Sequence, residues 1–125
     1  MANDIITAKK NVLDAISSAK RIMEELLPTM RTADKINRDA LKPGSGTGSG
    51  GFTDLAIAAR AVTDKADAAK PTVDSAIRTV NTFLGEFGPE PEIIKAHREM
   101  CEIMREFSDL HYAVAMQIHA LRNAA

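Results

Sequence analysis

Between Asp4 and Leu41 the apolar residues Ile5, Val12, Ile16, Ala19, Met23, Leu26, Met30 and Ala33 recur at steps of three, four or seven residues. That spacing places them on one face of an α-helix, whose period is about 3.6 residues. Asn3 or Asp4 is positioned to cap its start. A second segment is more regular: Leu55, Ala59, Val62, Ala66, Ala69, Val73, Ala76, Val80, Phe83 and Phe87 alternate four and three apart without a slip. This is a heptad seam. Thr53 suits an N-cap, and Phe52 and Ile57 stand where a hydrophobic staple would form. Gly85 or Gly88 ends the segment, and Pro89-Glu90-Pro91-Glu92 puts proline and acid into the first turn of a third. There the seam is Ile93, His97, Met100, Met104, Phe107, His111, Val114, Ile118 and Leu121.

The pattern predicts an all-α fold. Helices at about 4–41, 53–84 and 90–122 form an elongated up-down-up antiparallel bundle, because short connections make successive helices antiparallel neighbours. Pro28 and Pro71 fall inside otherwise continuous patterns, where proline removes a backbone hydrogen bond and favours a kink. The seam keeps its register through Pro71, and the two prolines are expected at similar heights.

Residues 44–51 read GSGTGSGG and hold five of the seven glycines. Such a tract has no side chains to pack and loses much backbone entropy on ordering, so 43–52 is read as a flexible linker. Its alternation of Gly with Ser or Thr is what a designer writes. The domain reading is therefore one helical bundle over 1–125, in which an engineered spacer joins a 3–42 helix to a 52–125 hairpin.

Composition narrows the class. One domain suits 125 residues, and 45% apolar with 26% charged residues is a globular balance. A single cysteine forms no internal disulfide. The net charge of −1 carries no basic excess, which argues against a nucleic-acid partner. No signal-like segment opens the chain and no stretch approaches the roughly 20 apolar residues of a bilayer span. A membrane role is not expected. The expected location is the cytoplasm, or outside it by export that needs no cleaved signal.

Candidate chemistry is sparse. His97, Cys101 and Met104 share one helical face and offer soft-metal ligands. Seam methionines are ordinarily core filler, however, and a metal needs more ligands than this. Arg98 and Arg105 lie one turn either side of Cys101 and could activate a thiol, although an incidental thiol is favoured. His97 and His111 read as hydrogen-bonded seam residues, with a pH switch as the sharper alternative. Lys9, Lys20, Arg31 and Lys42 recur every eleven residues as a basic stripe, explained adequately by interhelical ion pairs. No catalytic motif is present, and the sequence calls for neither metal nor cofactor.

The functional expectation is a non-enzymatic helical interaction or assembly module of secretion-apparatus, chaperone or adaptor type. Its partner is a protein or a second copy, and one form is a partner helix fused to the hairpin it binds. The expected interface is Ile16, Met23, Leu26, Leu55, Val62, Val73, Val80, Phe83, Met100, Met104, Phe107, Val114 and Ile118. The alternative is a ligand- or metal-binding bundle using His97, Cys101 and Met104. Residues 52–123 are similar in length and outline to type III needle subunits, hairpins with a proline-bearing turn, here Pro89-Glu90-Pro91. That likeness is one of shape and a single turn. The Trp-x-Gly turn of type VII secretion substrates is absent, since the chain has no tryptophan.

Overall fold

The computed structural model describes the backbone of residues 2–125 and the side chains from Asp4 onward. The Asn3 cap lies outside the described side chains. Three helices follow in order: α1 (Ala2–Leu41), α2 (Ser49–Phe87) and α3 (Pro91–Ala124). Among the described residues there is no strand, and the helices pack together as a bundle.

The boundaries correct the expected ones in instructive ways. Helix α1 starts at Ala2, so Asp4 sits in its first turn rather than at a cap, where its charge suits the helix N-terminus. Helix α2 starts at Ser49, not 53, and takes in four residues of the expected linker. Extending a formed helix gains one bond per residue, here from Phe52 N–H to Gly48 O at 3.0 Å. Thr53 is therefore no N-cap. Its hydroxyl donates back to Ser49 O at 3.1 Å, as helix-interior threonines do. The staple also fails, because Ile57 points away from the bundle and is 66% exposed.

The other end of α2 runs through Gly85 and stops at Phe87. Gly88 has φ +81°, the left-handed conformation that glycine adopts without strain. Its N–H reaches Leu84 O at 2.9 Å, which closes the helix in an αL cap. Glu90 caps α3. Its carboxylate accepts from Ile93 N–H at 2.9 Å, and Pro91 occupies the first helical position, where no N–H is needed.

Both prolines lie within continuous helices. The carbonyls deprived of a donor belong to Glu24 and Asp67, both exposed residues.

The chain divides into two compact units, each with one segment from every helix. Unit 1 comprises residues up to Glu24 with Ala69–Arg105; unit 2 comprises Glu25–Ala68 with Glu106–Ala125. Pro28 and Pro71 each lie within about one turn of a division point. Among the described residues the buried set of unit 1 is wholly apolar: Val12, Ile16, Ala19 and Met23 from α1, Val73, Val80 and Phe83 among those of α2, and Ile93 and Met100 from α3. In unit 2 the buried apolar residues include Leu27, Met30, Ala56, Ala59, Phe107, Val114 and Leu121. They are joined by three buried polar residues, Asn37, Thr63 and Gln117.

Candidate functional site

Among the described residues, polar side chains of α1 and α3 bond to one another in both units. In unit 1, Lys9 Nζ lies 2.7 Å from Glu92 and 3.4 Å from Glu90, and Lys20 Nζ lies 3.3 Å from Glu99. Glu92, hydrogen-bonded to Lys9, and then Glu90 hold that ammonium above its ordinary pKa against the opposing effect of desolvation. The Ile93 N–H chiefly holds Glu90 below its ordinary value, helped by the Glu92 N–H and by Lys9. In unit 2, Arg31 pairs with Glu106. Three of the four stripe cations thus meet acids of α3, while Lys42 pairs locally with Asp39 at 3.3 Å. Glu92, Glu99 and Glu106 recur every seven residues. That was a readable counterpart to the eleven-residue stripe.

The same seam in unit 2 holds a buried polar chain. Asn37 Nδ2 donates to Gln117 Oε1 at 3.0 Å, and Gln117 Nε2 donates to Asp34 Oδ1 at 2.6 Å. Asp34 Oδ2 then meets Arg38 at 2.9 Å. Asn37 is 2% exposed and Gln117 9%. Neither belonged to the expected interface, because apolar periodicity passes over amides. The signal was positional: Asn37 falls seven residues after Met30, and Gln117 three after Val114.

Of the expected interface residues, Ile16, Met23, Val73, Val80, Phe83, Met100, Phe107, Val114 and Ile118 are buried. Leu26, Leu55, Val62 and Met104 are half-buried. On α1 the buried leucine is Leu27; on α2 the buried line in unit 2 runs through Ala56 and Thr63. A helix in a three-helix bundle faces two neighbours, so its buried arc is wider than a two-helix seam. Leu55 and Val62 instead line an open groove of about 390 Å³ with Pro28, Ala33 and Ile36 of α1.

The soft-ligand face comes together only in part. Cys101 Sγ lies 3.5 Å from His97 Nε2 within α3. Among the described residues, no three His, Cys, Asp or Glu side chains gather as a metal-holding set. His111 Nε2 meets Asp67 Oδ1 of α2 at 2.8 Å, giving this seam histidine an interhelical partner.

The glycine-rich connection is locally bonded. Ser45 Oγ donates to Ala40 O at 2.7 Å, Ser45 N–H reaches Lys42 O at 3.2 Å, and Thr47 N–H reaches Ser45 Oγ at 3.3 Å. A methyl group added at Gly48 or Gly50 would meet nothing within 4 Å. Glycine there answers no packing demand.

No helix among the described residues is long and apolar enough to cross a membrane. Comparison with known proteins finds no matching family model, no matching curated protein and no matching solved structure.

Proposed function

We propose that this chain is a non-enzymatic helical interaction module whose α2–α3 hairpin takes up a helix, with α1 tethered as the occupant. The observation that carries the reading is an asymmetry around α1. Its side chains bond to α3 through Lys9, Lys20, Arg31 and Asn37. The segment joining it to α2, by contrast, bonds only to its chain neighbours and has a spacer's composition. A helix recognised by side chains and joined by a spacer is what a tethered ligand requires, because the tether supplies effective concentration and not specificity. Helix-in-groove recognition of this kind suits an adaptor- or chaperone-type protein.

The test uses the full chain with a protease site inserted after Gly46. Once cut, the protein is expected to stay assembled at micromolar concentration and to take up a labelled 1–42 helix saturably, in competition with unlabelled helix. Reversing two cations on the added helix (Lys20→Glu with Arg31→Glu) weakens uptake about tenfold, since exposed pairs contribute up to about 1 kcal/mol each. Glu99→Lys with Glu106→Lys in the hairpin restores it. Pieces that separate on cutting, or a labelled helix that stays out, would overturn the proposal.

A further inference from the structure

We infer that the buried Asn37–Gln117 bond selects the helix the hairpin accepts, which must lie parallel to α3 with a carboxamide facing Gln117. The inference rests on the proposed reading of α1 as an exchangeable occupant. In unit 2, Arg31 pairs with Glu106 and Asn37 with Gln117, so residue numbers rise together and the two segments run parallel. The polar chain between them is closed. Gln117 accepts from Asn37 and donates to Asp34, and among the described residues no buried side-chain nitrogen or oxygen lacks a partner.

That closure restricts what can stand at position 37. The Gln117 amide group already donates to Asp34, so its carbonyl oxygen needs a donor from the facing helix. Asparagine supplies one. Aspartate would turn a carboxylate toward that oxygen, two acceptors face to face. Leucine would be the more apolar side chain, yet it would leave the oxygen of a buried glutamine without its donor. A buried acceptor stripped of its donor loses the whole of its hydration without compensation.

Register is restricted as well. Sliding α1 by one heptad brings Met30 or Gly44 opposite Gln117, and sliding it by four brings Ala33 or Leu41. None can donate from a side chain. A heptad pattern alone tolerates such slips, whereas one buried amide pair does not, which is the best-attested use of polar groups in helical cores. The apolar seam therefore supplies attraction for many amphipathic helices, and Asn37–Gln117 supplies the choice among them.

The cut full-length protein decides the matter when it is offered three labelled 1–42 helices: unaltered, Asn37→Leu and Asn37→Asp. Both altered helices are expected to bind roughly ten- to a hundredfold more weakly than the unaltered one. In a Gln117→Leu host the order inverts, and the Asn37→Leu helix binds best. Equal or tighter binding of the Asn37→Leu helix to the unaltered host, or an order that fails to invert, would overturn the inference while leaving exchange itself intact. If no helix of any kind enters, the tethered-occupant reading has failed and this inference falls with it. A denaturation cycle on the uncut chain supplies a second measurement. Asn37→Leu and Gln117→Leu singly lower stability, and together they recover most of the loss. Additive losses in that cycle would count equally against the selecting role.

Discussion

Units 1 and 2 are built from the same three helices, yet they are held differently. Among the described residues, unit 1 has a buried set without a polar side chain, in which Ile16, Met23, Val80, Ile93 and Met100 fill the space. Unit 2 buries Asn37, Thr63 and Gln117 among alanines, and leaves Leu55 and Val62 along an open groove. Apolar burial attracts without direction, whereas buried amides discriminate between arrangements. Unit 1 is thus held by apolar burial, and unit 2 by apolar burial together with directional polar bonds; on the proposed reading, unit 2 is where a helix would be chosen.

Core truncation should break that contrast most visibly. Met100→Ala in unit 1 is expected to lower unfolding free energy by about 2–5 kcal/mol, because the fully buried side chain leaves a cavity. Val62→Ala in unit 2 should cost less than about 1.5 kcal/mol, since Val62 already borders open space. Chemical denaturation measures both. Equal losses would mean that the two units are packed alike.

A smaller effect tests the rim of unit 1. Lys20→Gln should cost under about 1 kcal/mol, and the difference from the unaltered protein should shrink in 1 M salt, where charges more than about 3 Å apart are screened. A difference that is unchanged by salt would assign the effect to the packing of the lysine stem.

The smallest effect is a pH dependence at the start of α3. Glu90 has a native pKa below its ordinary 4.5, chiefly because its carboxylate accepts from the Ile93 N–H. A depressed carboxylate stabilises the native state at pH above that ordinary value and loses this contribution as pH falls through its native one. Lys9 has the opposite sign: its native pKa is above 10.5, so its contribution is present below 10.5 and lost as pH rises through the native value. The melting-temperature difference between the unaltered protein and Glu90→Gln should therefore be steady near neutrality and shrink below pH 4.5. A difference that persists to pH 3 would show that the carboxylate's charge contributes nothing to this cap.

The particular residues show where a linear pattern succeeds and stops. Three- and four-residue spacing located every helix, since amphipathic periodicity is a property of each segment taken alone. It erred at Thr53, where the helix continued back through Gly50 and Gly51 because a formed helix propagates more readily than it starts. It passed over Leu27 and Ala56, which are buried beside the half-buried Leu26 and Leu55, because a helix with two neighbours buries an arc wider than one seam. The eleven-residue cation stripe was read, whereas the seven-residue acid line, equally present in the sequence, was passed over. Their pairing was not, because it depends on which helix lies beside α1.

Sequence alone determined that this is an all-helical chain with three long amphipathic segments, a proline-and-acid start to the third and a spacer-like connection. These follow from local periodicity and from the conformational limits of proline and glycine. Tertiary structure decided that Lys9, Lys20 and Arg31 face the acids of α3, and that Asn37 and Gln117 close a buried bond. It also decided that Leu55 and Val62 line a groove while small residues fill the core beside them. Each of these is a relation between segments dozens of residues apart. An amide reads as polar in a sequence, and only the helix packed against it settles whether it meets water or another amide.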